Sequence, residues 1–150
     1  MTKSIIAVCC LTLLATGCGG PANGPLTKEQ GDEVTLAQVG ELCRMYQFAK
    51  KKPPAKLTDL ASVSTMAANG YEALKTGRIV LLYEATLPDV KEEPGEGHDD
   101  KVLAYVADVP QSGGKVLMLN RTIKTMSADD FKAAKKAGKE VPLPAPGKKG

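Results

Sequence analysis

Residues 32–138 predict an α+β domain, in which a long N-terminal helix packs on a small antiparallel sheet and a short helix follows. Three observations carry this prediction. Apolar residues recur at three- and four-residue intervals from Leu36 to Ala49, short apolar runs bounded by turn residues fill 78–126, and Ser127 opens a Ser-x-x-Asp helix start. A helix first and strands afterwards is the order of a layered α+β fold. The strands are close enough in sequence for hairpin connections, which argues against parallel βαβ crossovers.

The elements follow in order. The chain opens on MTKSIIAVCCLTLLATGCGG: Lys3 is a cationic start, residues 4–14 are almost all apolar, and Ala15-Thr16-Gly17 leads into Cys18. That is the layout of a secretory signal. The apolar stretch is shorter than the roughly 20 residues a spanning helix needs. Gly17, Gly19 and Gly20 stand where a basic stop-transfer flank would. The small residues before the cysteine resemble the lipobox of bacterial lipoproteins. The resemblance implies removal of residues 1–17 and diacylation of Cys18 as the new N-terminus. Two acyl chains make a stable anchor where one binds reversibly. Gly19 rather than Asp after the cysteine implies the outer membrane, if the cell has one.

Residues 18–31, rich in Gly, Pro and Asn, read as a flexible tether. From 32 to 52, Leu36, Val39, Leu42, Cys43, Tyr46 and Ala49 mark one apolar helix face. Lys50-Lys51-Lys52 suits the negative helix end, and Pro53-Pro54 stops the helix. Leu57-Thr58-Asp59-Leu60 reads as a short helical turn, and Asn69-Gly70 as a turn within an ambiguous stretch. Strands are predicted over 78–83, with a central position, and over 101–107, 115–119 and 122–126, the last two joined through Asn120-Arg121. The short helix is expected around 131–137 and ends at Gly138; residues 139–150, with Pro142, Pro144 and Pro146, read as an extended, mobile tail.

Composition sets the class. Hydrophobic residues make up 43% and charged residues 25%, the mix of a globular domain rather than a disordered one. Aromatic content is only 4% with no Trp, so the core rests on Leu, Val, Ala and Met. A formal charge of +3, reduced by one when Lys3 leaves, is too small to imply nucleic acid as a partner. Cys9 and Cys10 leave with the signal and Cys18 takes the lipid. Cys43 is then alone, on an apolar helix face that favours burial over reactivity.

Three stretches resemble a known family. Val39-Gly40-Glu41-Leu42 through Tyr46, then Lys52-Pro53-Pro54-Ala55-Lys56-Leu57-Thr58-Asp59-Leu60, is similar to the globular start of type II secretion pseudopilins. Ile79-Val80-Leu81-Leu82-Tyr83-Glu84 resembles their strand ending in Tyr-Glu. Residues 116–126 with Ser127-Ala128-Asp129-Asp130-Phe131 resemble their closing hairpin and following helix start. The resemblance implies a pseudopilin-like domain over 32–138. The chain departs from that family at its start, where a lipoprotein signal replaces the long retained hydrophobic helix and its Gly-Phe-type processing site.

Chemistry is sparse. His98, the one histidine, lies in Glu92-Glu93-Pro94-Gly95-Glu96-Gly97-His98-Asp99-Asp100. Glu96, His98, Asp99 and Asp100 are the candidate metal ligands, yet no D-x-D-x-D-G register appears, and the preferred reading is a solvated acidic loop. Ser62, Ser64, Ser112 and Ser127 lack a nucleophile-elbow context, and Gly113-Gly114-Lys115 lacks phosphate-loop spacing. Glu84, Asp89 and Asp108 are the carboxylates weighed for acid–base work. The expected function is a lipid-anchored, noncatalytic structural or protein-interaction module of the bacterial cell envelope, without a cofactor. Its partners are the membrane, through the lipid, and an envelope protein. The alternative is an ion- or small-solute-binding lipoprotein that uses the acidic loop 92–100.

Overall fold

A computed structural model describes residues 27–97 and 100–142. Cys18, the signal, most of the tether, His98, Asp99 and residues 143–150 lie outside the described residues. Helix α1 (Lys28–Lys50) is 23 residues long. A 3₁₀ segment (Leu57–Met66) and helix α2 (Ala68–Lys75) follow. Next come β1 (Ile79–Tyr83), β2 (Lys101–Val106), a one-turn helix α3 (Val109–Ser112), β3 (Gly114–Met118) and β4 (Ile123–Met126). Helix α4 (Ala128–Ala133), β5 (Lys135–Lys136) and β6 (Lys139–Glu140) close the described chain. The fold is α+β as predicted, a long helix on a small, mainly antiparallel sheet.

The helix starts at Lys28, inside the stretch read as tether, because Thr27 caps it. The Thr27 hydroxyl accepts from the Gln30 N–H (3.3 Å) and the Gln30 side chain accepts from the Thr27 N–H (3.0 Å). This reciprocal box satisfies two of the orphan donors of the first turn. At the other end Lys51 adopts the left-handed conformation (φ 57°), and its N–H returns to Gln47 O. Leu36, Val39, Leu42, Cys43 and Tyr46 are buried as the spacing requires. Each such large apolar side chain contributes about 1.5–3 kcal/mol on burial. Ala49, placed on the same face by its spacing, is exposed.

The strand order is β4-β3-β2-β1-β6, with β5 on β2. Strand β1 lies inside the sheet as expected, between β2 and β6, and β2 is the middle strand, flanked by β3 and β1. One sheet face, represented by Leu117, meets α1 at Gly40; a Cβ on Gly40 would stand 3.3 Å from Leu117 Cδ2. The Lys115–Glu33 ion pair (3.2 Å) ties the same two elements. Tyr105 and Val116, directly paired across β2 and β3, belong to the opposite face. There Phe131 of α4 lies with its ring centroid 4.7 Å from that of Tyr105. Buried side chains on both faces make one core.

Three local expectations are corrected. Asn69-Gly70 does not turn the chain; both residues lie in α2, and Gly70 is where α2 crosses α1. A Cβ there would come within 2.9 Å of Gln38 Cβ and 3.1 Å of the Val39 nitrogen, and the Gly70 N–H donates to Gln38 Oε1 (2.8 Å). The C-terminal helix stops at Ala133 rather than Ala137, because Lys135–Lys136 pair in parallel with Lys101 and Val102 of β2. Gly138 is therefore a close approach, not a helix end: a Cβ on it would lie 2.1 Å from Tyr83 O. Lys139–Glu140, assigned to the tail, pair with Leu82 and Tyr83 of β1. Residues 135–140 thus bridge β1 and β2 where the two strands diverge. The Asn120-Arg121 hairpin and the Ser127 cap stand as read, with Asp130 N–H donating to Ser127 Oγ (3.1 Å).

Candidate functional site

The connection from β1 to β2 holds most of the acidic residues weighed above, and it is fastened from beneath. Glu84 turns the chain in the left-handed conformation (φ 64°) and its N–H donates to Pro54 O (2.9 Å). The Gln47 amide then binds Leu87 as a strand would: its Nε2 donates to Leu87 O (3.1 Å) and its Oε1 accepts from the Leu87 N–H (2.9 Å). Arg44, paired with Glu41, donates to Val90 O (3.2 Å). All three anchors come from outside the loop.

Arg121 is the largest of these fastenings. Its side chain is only 5% exposed, and its backbone is left-handed (φ 66°) in the hairpin turn. Its guanidinium donates to Lys91 O (2.6 Å), Glu93 O (2.9 Å), Glu92 O (3.3 Å) and Asp89 Oδ1 (3.4 Å). A buried cation needs such a set of acceptors, since desolvation without them costs several kcal/mol. Asp89 also accepts from the Lys91 N–H (2.8 Å), while its Oδ2 is buried without a hydrogen-bond partner among the described residues. Gly95 N–H donates to Asn120 O (2.9 Å) and completes the attachment to the β3–β4 hairpin. The loop thus has a frame, built by α1 and the β3–β4 hairpin.

The candidate metal ligands are not brought together in the described part of this loop. Both Glu96 carboxylate oxygens meet Lys91 Nζ at 2.7 Å, and Asp100 Oδ2 meets Lys135 Nζ at 3.3 Å. His98 and Asp99 lie outside the described residues. Among the described residues no group of three or more His, Cys, Asp or Glu could hold a metal ion. Glu84, Asp89 and Asp108 answer to three different cations, Lys139, Arg121 and Lys28. Cys43 is free and 2% exposed, and burial pushes its thiol up to about 12, far from a nucleophilic thiolate. The serines are engaged locally: Ser62 with Asp59 O, Ser64 with Ala61 O, Ser112 with Asp108 O, and Ser127 with the cap of α4. Gly113-Gly114-Lys115 opens β3, not a helix.

A second concavity, of about 360 Å³, lies where α1 begins, lined by Thr27, Lys28, Asp32, Arg78 and Asp108. Its charges answer one another. Arg78 donates to Thr35 Oγ1 (2.7 Å) and faces Asp32 (3.9 Å), and Lys28 faces Asp108 (3.8 Å). The sequence reading missed Arg121, Arg44 and Gln47 as loop anchors. The only sequence signal for Arg121 was its place in the hairpin turn. No family model, curated protein or solved structure matches the chain.

Proposed function

We propose that this protein is a lipid-anchored, noncatalytic module of the bacterial cell envelope, tethered through Cys18 and engaging an envelope protein partner. The observation that carries the reading is the run from Lys3 through residues 4–14 to Ala15-Thr16-Gly17-Cys18. Support from the domain is chemical. Its serines cap and turn the backbone, Cys43 is buried, and Glu84, Asp89, Glu96 and Asp100 of the loop are paired with lysines or with Arg121. No described helix is long and apolar enough to cross a membrane; the attachment in this reading is through the acyl chains on Cys18. The outer membrane is the proposed location where the cell has one.

The test is the mass of the protein extracted from a membrane fraction. The expected species begins at Cys18 and carries acyl chains; an intact Met1 or an unmodified Cys18 in that fraction defeats the reading. Cys18→Ser should abolish the modification, because the thioether requires sulfur.

A further inference from the structure

At the far end of α1 from the tether, four exposed lysines lie close in sequence to an exposed aromatic ring. Phe48 is 54% exposed, one of the few large apolar side chains that the described fold leaves open. Lys50, Lys51, Lys52 and Lys56 follow within eight positions of it and are all exposed. None of the four is ion-paired among the described residues, whereas most other described lysines are, Lys28, Lys75, Lys91 and Lys115 among them. The nearest acid in sequence, Asp59, turns its carboxylate to the N–H groups of Ala55 and Lys56 (2.8 and 3.2 Å). Lys51 Nζ lies 4.6 Å from the centroid of the Phe48 ring. A helix C-terminus draws cations within its last turn; that accounts for Lys50 but not for Lys52 and Lys56, which lie beyond it.

We infer that Phe48 with Lys51, Lys52 and Lys56 forms a docking patch for the negatively charged headgroups of a phospholipid bilayer. Charge selects the surface: each lysine near an anionic membrane strengthens the contact about fivefold. The ring supplies the apolar contact, and the lysine stems reach past it to the headgroups. A 23-residue helix is about 34 Å long, and the nine residues from Cys18 to Leu26 can extend to about 30 Å, so an anchor at Cys18 and a patch at Phe48 can reach one bilayer together. Val34, 47% exposed, stands about four turns from Phe48 and hence on the same side of the helix. Glu41, between them on that side, is already paired with Arg44. The inference rests on the anchoring reading only for the proximity of the bilayer.

The chain has no Trp, so Phe48→Trp in the full lipidated protein makes a single reporter at the patch. In vesicles containing phosphatidylglycerol, its emission should shift to the blue and be quenched by acyl-brominated lipid. In phosphatidylcholine vesicles it should resemble that of a water-exposed indole. Adding Lys51→Gln, Lys52→Gln and Lys56→Gln together should lower the docked-to-undocked ratio about 100-fold. Raising salt to about 1 M, where the Debye length falls to about 3 Å, should do the same. An unchanged melting temperature in the triple variant would show that the loss is of docking and not of fold. Emission indifferent to phosphatidylglycerol, or to the three lysines, overturns the inference. The mass of the same preparation tests the anchor separately. An unmodified Cys18 defeats anchoring alone, and the lysine dependence of the indole quenching still decides docking.

Discussion

In the β1–β2 loop the charged side chains that fasten the backbone all meet oxygens, whereas the lysines of residues 50–56 meet none among the described residues. Arg121, Arg44 and Lys91 bind carbonyls or carboxylates at set distances. Lys50, Lys52 and Lys56 extend into solvent without an ion pair. The two regions are similarly rich in charge. The difference teaches what charge does in each. Buried under a loop, a guanidinium replaces missing secondary structure by collecting carbonyls that no strand or helix satisfies. On an open helix end, unpaired ammonium groups add little to stability and remain available to a surface of opposite sign.

The sharpest way to break this comparison is Arg121→Ala. It removes the donor shared by Lys91 O, Glu92 O, Glu93 O and Asp89, and leaves that carboxylate beside Glu41 with its cation gone. Loss of one partner from a buried charged network costs about 3–5 kcal/mol. Urea denaturation should show a loss of that order, and amide exchange should accelerate over residues 87–97 before the rest of the domain. A variant that keeps its midpoint and its loop protection would mean that the buried cation does not hold the loop.

Why the loop's anchors were hidden in the sequence while the helix face was legible is a matter of range. The stripe Leu36, Val39, Leu42, Cys43, Tyr46 is a local period, and a local period is visible in one dimension. Thr27 and Gln30 were equally local, a Thr-x-x-Gln box, but the Gly and Pro before them drew the boundary too far along. Gly70 looks like half of an Asn-Gly turn until α1 is placed against it; only then does the absent Cβ become the reason for glycine. β5 and β6 have two residues each, too few to show alternation, and exist because β1 and β2 diverge beside them. Arg121 was legible as a turn residue and no more. Its acceptors lie about thirty positions upstream, and nothing in the hairpin itself announces them. For the candidate metal residues, loop composition pointed to acids without a frame. The frame exists, but it presents Glu96 and Asp100 to lysines.

Cys43 supplies the neutral reference between the two charged regions, a titratable group buried with no ion partner. Burial raises its thiol from 9.0 to about 12. The folded state therefore keeps a proton that the unfolded chain gives up. The stability that this provides is complete below pH 9 and declines as pH rises toward 12. The slope is about 1.4 kcal/mol per pH unit for one group. Tyr83 and Tyr105, also raised by burial, add to the loss only above their ordinary value of 10.0. Urea midpoints at pH 8 and just below 10 should accordingly fall in the wild type and fall less in Cys43→Ala. Equal slopes in the two proteins would place the thiol in contact with water and undo its assignment to the helix face.

The smallest effect has the opposite sign and bears on the lysines directly. Lys51 occupies the left-handed position that ends α1 (φ 57°), where glycine is the usual residue because a Cβ is disfavoured there. Relieving that strain favours Lys51→Gly by about 1 kcal/mol, partly offset by the greater freedom of glycine in the unfolded chain. The N–H bond from residue 51 to Gln47 O survives the change, since it is made by the backbone. What is lost is the ammonium group over Phe48. Thermal denaturation should show Lys51→Gly unchanged or slightly more stable, while its contact with anionic vesicles weakens by a factor of about five, one lysine's share. A side chain kept at a strained position for the sake of the fold would give the reverse, a drop in melting temperature with binding intact. Stability and docking moving in opposite directions is the signature that separates the open lysines from the buried arginine.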